Sequence, residues 1–336
     1  MPNGSPSSSS NLSVLDQIRI YTTGTFLLPT HSLTHVAPPL DWTDAAKLAI
    51  NMGVKQVAVP HLPDTKGFSE AQIYDTYAKF VQDHGSKQAQ DALTAGKQVI
   101  VGLRIQGNSR DNRGRGVYRD RMALIWTETP PTPSPVAGPR VVPTAFPATP
   151  VALSPIKHGL DFTANTQPSA QYEDPGEEWK EVTSKKTGKT IRLRVVKKIV
   201  GPDGKEVISK PRAKWEGTDV KHEGRKALGE LVPGTYKFHT TDKIFVGAKY
   251  LTSSNDQAVY RDVNHDGTFT DADIWHTKEG DTVIENGNFG VYIHKGGENN
   301  TWSAGCQTLP PDQHKRLFAN LSKKQKDYYY VLVTLK

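Results

Sequence analysis

The sequence predicts an α+β chain: a small, mostly helical N-terminal unit, then a β-rich domain with a basic β-hairpin and a calcium-type loop. Three observations lead there. The 336 residues exceed the ~250–300 at which a single hydrophobic core stops growing, so more than one unit is expected. Helical apolar periodicity is confined to the first part of the chain, and from Lys97 it gives way to short apolar runs and period-two alternation. The formal charge of +7 is concentrated in one segment: 184–226 holds 14 Lys and Arg against 5 Asp and Glu, which leaves 28 against 30 elsewhere.

Residues 1–11 are rich in Gly, Pro and Ser and read as a disordered tail, with neither the basic start nor the apolar stretch of a secretory signal. The helical N-terminal unit is expected over 12–96. It opens with β-favouring pieces in Leu15–Thr30, then a helix over Trp42–Met52 and a short strand over Lys55–Pro60. A second helix, Ser69–His84, carries Ser69 and Gln72 as a capping box and Ile73, Tyr77, Phe80 and Val81 on one face. Gly85 ends it, and Lys87–Thr94 forms a third.

The β-rich domain is expected over 97–336. Val99–Ile105 and Arg121–Trp126 read as strands flanking a polar connection. Pro130–Pro155 holds nine of the 23 prolines, which remove backbone donors and favour polyproline II, so it reads as a semi-rigid linker or surface insertion. In the basic segment, Thr190–Val196 alternates with period two and Gly201-Pro202-Asp203-Gly204 has turn chemistry before Lys205–Ile208, which suggests a hairpin with a basic face. Charge confined to one hairpin argues against a general nucleic-acid binder and fits docking on an anionic wall polymer. No apolar run is long enough to span a membrane.

Asp262–Asp273 follows the twelve-residue calcium-loop pattern: Asp262, Asn264 and Asp266 at positions 1, 3 and 5, Gly267 at 6, Thr268 at 7 and a carboxylate, Asp273, at 12. A hard cation needs six or more oxygens, and this spacing turns alternate side chains inward. A structural Ca²⁺ is the expectation, the Asp at position 12 resembling the dockerin-type loop.

One cysteine excludes a disulfide framework, a Cys-rich zinc site and an iron–sulfur cluster. That cysteine lies in Tyr292-Ile293-His294-Lys295-Gly296-Gly297 … Ser303-Ala304-Gly305-Cys306-Gln307. Alternation puts His294 at the end of a strand, and a Gly/Asn/Ser-rich loop returns the chain to it. A free thiol is mostly protonated at neutral pH, so attack by Cys306 needs a base, which His294 can supply. The main-chain N–H groups around Gly305 and Cys306 can serve as an oxyanion hole.

Ile293-His294-x-Gly followed by Ser303-Ala304-Gly305-Cys306 resembles the signature of the L,D-transpeptidase (YkuD-like) catalytic domain. The resemblance implies a β-rich catalytic fold, Cys306 as nucleophile, His294 as base and Ser303 and Gly305 as motif positions. It also implies peptidoglycan stem peptides as substrate. Ala304 stands where the family has histidine, and Gln307-Thr308 where it has an apolar-Arg pair. The implied activity is transpeptidation or L,D-carboxy- or endopeptidase hydrolysis through a thioacyl-enzyme. A non-catalytic polyanion-binding module and a cysteine peptidase or amidase acting on proteins are the alternatives. With no signal visible, the expected route is synthesis in the cytoplasm and delivery to the periplasm or wall by a secretion system or phage, as an antibacterial effector or lytic protein.

Overall fold

The computed structural model describes residues 61–130, 154–209, 215–269 and 284–335. The chain divides into Met1–Ala58 and Val59–Lys336, and every described residue belongs to the second unit. The elements expected between Leu15 and Pro60, most of the proline-rich segment and Asp273 lie outside the described residues.

Helix α1 (Glu70–His84) starts at the expected capping box, with the Gln72 N–H on Ser69 Oγ at 3.3 Å and the Ser69 N–H on Gln72 Oε1 at 2.9 Å. Helix α2 (Lys87–Thr94) follows after one turn. The next three strands, β1 (Val99–Ile105), β2 (Asp120–Glu128) and β3 (Ile156–Ala164), form an antiparallel run. Strands β4 (Glu177–Thr183) and β5 (Thr190–Val196) form a separate ribbon. Then come β6 (Gly229–Leu231), β7 (Gly234–Phe245), β8 (Ala248–Ser253), β9 (Gln257–Arg261), β10 (Glu285–Gly287), β11 (Tyr292–Lys295) and β12 (Gln307–Leu309). Helix α3 (Pro311–Asn320) and β13 (Asp327–Leu335) complete the unit.

Eight strands make one sheet in the order β12-β11-β8-β7-β13-β1-β2-β3. Its two ends meet: Asn165, just past β3, and Thr308 of β12 exchange N–H···O bonds of 2.8 and 2.7 Å. The sheet is therefore nearly closed, and Phe162, Phe238, Leu251, Ile293, Tyr328 and Tyr330 fill its inside. Burying most apolar side chains on one concave face supplies most of the driving force for the closure.

The helices correct the expected domain boundary. Tyr77, Val81 and Leu93 of α1 and α2 pack on the outer face of the sheet against Val101, Leu103, Ile125 and Val331. Strand β1 is buried on both faces except at its last residue, so its outer face needs a cover, and the helices supply it. The break falls at 58/59, not 96/97: the change from helical to strand texture marks two layers of one core.

The basic hairpin is also corrected. β5 pairs with the upstream β4, while Gly201–Gly204 only turns the chain into a single Val200–Glu206 bridge. Arg194 pairs with Glu177, and Arg192 lies opposite Glu181 with its guanidinium 5.7 Å from the Trp179 ring. The arginine face is thus balanced by glutamates, and unbalanced charge gathers at the turn, in exposed Lys185, Lys186 and Lys189. Among the described residues no helix is long and apolar enough to cross a membrane.

Candidate active site

β11 and β12 run parallel, with Ile293 opposite Gln307 and His294 opposite Thr308. Ile293 points into the core, and alternation then puts Tyr292 and His294 on the outer face. Cys306, one residue before β12, falls opposite Tyr292 by the same register. The Tyr292 N–H donates to Cys306 Sγ at 3.4 Å, and Sγ lies 3.9 Å from the Gly290 carbonyl oxygen. By strand register Cys306 and His294 therefore take diagonal positions on one face.

His294 is fully buried. Its Nδ1 lies 2.8 Å from the Lys295 carbonyl oxygen, which makes Nδ1 the protonated nitrogen and leaves Nε2 as acceptor. Nε2 is buried and makes no hydrogen bond among the described residues. The imidazole ring meets Phe245 edge to face at 4.9 Å, and Phe245 also packs on Tyr250 and Tyr292. Burial pushes the His294 pKa down to about 4, only partly offset by the Lys295 carbonyl. Burial pushes the half-buried Cys306 thiol up to about 11; the Tyr292 N–H opposes the shift and Glu216 adds to it. Both groups are neutral at pH 7.

The loop before Cys306 is held from several sides. Thr301 N–H donates to the Arg115 carbonyl at 2.9 Å, and the Ser303 carbonyl accepts from both the N–H and Oγ of Ser169, each at 2.7 Å. Ser303 Oγ donates to the Cys306 carbonyl at 2.7 Å and accepts the Gly305 N–H at 3.1 Å. This assigns Ser303 a bracing position, and it takes the Gly305 N–H out of the expected oxyanion hole. Gly305 has φ +136°, and a Cβ there would lie 2.6 Å from the Gly229 carbonyl oxygen, so only glycine fits.

Ser169, Gln171 and Asn300 complete the brace: Gln171 Nε2 donates to Asn300 Oδ1 at 2.6 Å and to Ser169 Oγ at 3.1 Å. Sequence reasoning missed these residues. They belong to a polar run, Asn165–Asp174, that is almost wholly buried, and hydropathy gives no sign of that. Arg104 is fully buried, bonded to Glu230 and Thr166 inside the sheet, and Arg119 pairs with Asp111, so neither guanidinium is free for a substrate carboxylate.

In the calcium-type loop, Asp262 accepts the N–H groups of Asp266 and Gly267, each at 3.0 Å. Asn264 Nδ2 meets Asp266 Oδ2 at 3.0 Å, and Asp266 Oδ1 accepts the Thr268 N–H at 2.7 Å. The side chains of Asp262, Asn264 and Asp266 are thus tied to one another and to the loop's own backbone, and Arg110 beside Asp262 and Asp266 offsets part of their charge. Among the described residues no group of three His, Cys, Asp or Glu side chains comes together; the twelfth position, Asp273, lies outside them.

Comparison with protein-family models, curated proteins and solved structures found no match to this chain.

Proposed function

We propose that the protein is a cysteine acyl-transfer enzyme of L,D-transpeptidase (YkuD-like) type acting on peptidoglycan stem peptides. The observation that carries this reading is the fully buried, neutral imidazole of His294. Its Nδ1 is held by a backbone carbonyl and its Nε2 has no partner among the described residues, on the same face as the sole thiol. Burying a polar atom without a hydrogen bond costs about 1–3 kcal/mol, a cost that a base awaiting a proton explains.

In this reading the Cys306 proton passes to His294 Nε2 as Sγ attacks the scissile carbonyl carbon. Both groups are neutral at rest, so proton transfer accompanies attack and no thiolate–imidazolium pair precedes it. The tetrahedral intermediate collapses to a thioester, and the leaving amine takes the proton from His294. An incoming amine gives transpeptidation and water gives hydrolysis, His294 again accepting the proton of the attacking group.

The same reading gives the loop a structural Ca²⁺, held by Asp262, Asn264, Asp266, the Thr268 carbonyl and Asp273; the ion would supply charge neutralisation and rigidity. It also gives the β4–β5 turn, with Lys185, Lys186 and Lys189, the task of docking on an anionic wall polymer, an attraction that added salt weakens. Action in the periplasm or wall, after delivery by a secretion system or phage, belongs to the same proposal.

The test is digestion of purified muropeptides by wild type and Cys306→Ala, read by mass spectrometry. Wild type is expected to form new or shortened stem peptides and Cys306→Ala none. Equal turnover by the two proteins would sink the proposal, and cleavage of casein with muropeptides untouched would favour a protein-directed cysteine peptidase.

A further inference from the structure

Gln307 follows the nucleophile and points into the closed sheet, where it is fully buried. A primary amide among apolar side chains is costly unless all its polar atoms are engaged. Here both are. Gln307 Oε1 accepts from Tyr330 Oη at 2.8 Å, and Gln307 Nε2 donates to the Gly305 carbonyl at 3.2 Å. Tyr330 belongs to β13, across the interior from β12, and is itself fully buried. The place for its hydroxyl is made by Gly102 of β1, where a Cβ would lie 2.1 Å from Tyr330 Oη. Three strands therefore contribute to one short relay that ends on the peptide bond between Gly305 and Cys306.

From this we infer that Tyr330 and Gln307 are positioning residues for the Cys306 nucleophile. They act through the Gly305 carbonyl, which the Gln307 amide draws toward the sheet interior. Ser303 braces the same peptide from the loop side, through the Gly305 N–H and the Cys306 carbonyl. With both faces of this turn held, Cys306 Sγ stays against the Tyr292 N–H on the outer face. An apolar residue at 307 would fill the core equally well and leave the Gly305 carbonyl without this donor. The inference rests on the reading of Cys306 as nucleophile and adds to it the device that aims the sulfur.

Tyr330→Phe removes one hydroxyl and keeps the ring. Gln307→Glu keeps the shape and makes the donor titratable: the protonated acid can donate to the Gly305 carbonyl, while the carboxylate can only oppose it. Because Cys306 is the only cysteine, iodoacetamide labelling of the native protein reports on this sulfur alone. Labelling is done well below each variant's unfolding temperature, beside muropeptide turnover. Tyr330→Phe is expected to label roughly threefold faster or more, its sulfur no longer held against Tyr292. Its kcat should fall on the order of tenfold with KM within about twofold. Gln307→Glu is expected to show a titration that wild type lacks, labelling faster and turning over more slowly as the pH rises and the acid ionises. Wild-type labelling rates and pH profiles in both variants overturn the inference whatever the turnover shows. A wild type inert toward muropeptides removes the proposed substrate, and the labelling arm then decides the positioning role alone.

Discussion

The Ser109 N–H donates to the Gly267 carbonyl at 2.7 Å, and the Ser109 carbonyl accepts the Ala170 N–H at 2.9 Å. One residue before Ala170, Ser169 holds the Ser303 carbonyl in the loop that leads to Cys306. The calcium-type loop and the loop that carries Cys306 are thus separated by only two short segments, joined by main-chain hydrogen bonds.

Calcium at the loop should therefore stabilise more than the loop itself. A ligand that binds only the folded state adds about 2.7 kcal/mol at a hundred times its dissociation constant. Thermal unfolding is expected to shift up by several degrees in millimolar Ca²⁺ relative to excess chelator, and Asp262→Ala should abolish the difference. Identical midpoints with Ca²⁺ and with chelator would remove the ion from the account.

Acid should destabilise the fold in a defined window. His294 and His314 are buried, and burial lowers each from 6.5 to about 4. Above pH 6.5 neither the folded nor the unfolded state protonates them, so they contribute nothing. Between 6.5 and 4 the unfolded chain takes up protons that the folded chain refuses, and stability falls as the pH falls. By pH 5 the loss is about 2 kcal/mol per histidine. His314 Nε2 donates to the Lys249 carbonyl at 3.0 Å, a bond the amide of Gln can imitate. Urea unfolding of His314→Gln should match wild type at pH 7 and lose about 2 kcal/mol less than wild type at pH 5.

In the proposed mechanism His294 and Cys306 set the pH dependence of the reaction. With the imidazole neutral down to about pH 4 and the thiol protonated up to about pH 11, kcat/KM for muropeptides should be flat from pH 6 to 8. Iodoacetamide labelling of Cys306 should rise about tenfold per unit through pH 8–10, because only the thiolate reacts. A bell-shaped profile with its rising limb near 6.5 would instead indicate a preformed ion pair.

What the sequence reveals and what it hides divides along physical lines. The capping box at Ser69 and Gln72 is a local exchange of hydrogen bonds, and α1 begins where those residues place it. That His294 and Cys306 share one face of neighbouring strands is legible because a strand, a glycine-rich turn and a returning strand leave few other registers. The partner of β5 is not: alternation in Thr190–Val196 shows a strand but cannot choose between Glu177–Thr183 before it and Lys205–Ile208 after it. The burial of Ser169, Gln171 and Gln307 is hidden for a related reason. Polar residues gain their place inside from partners distant in sequence, and those partners exist only once the sheet has closed.

Ser303 and Gly305 offer the sharpest separation of bracing from chemistry. Ser303→Ala leaves the Gly305 N–H and the Cys306 carbonyl without their shared partner in a partly buried turn. Each unpaired buried group costs about 1–3 kcal/mol, so the denaturation midpoint should drop by the equivalent of about 2–4 kcal/mol with an unchanged m-value. Ser303→Thr keeps the hydroxyl and should recover most of that loss. Gly305→Ala faces both an unfavourable backbone conformation and the Gly229 carbonyl oxygen 2.6 Å from its new methyl group. It should destabilise at least as much as Ser303→Ala, with no substitution on the same residue able to restore it. Wild-type stability in Ser303→Ala would mean that water or another donor reaches this turn and that the serine braces nothing.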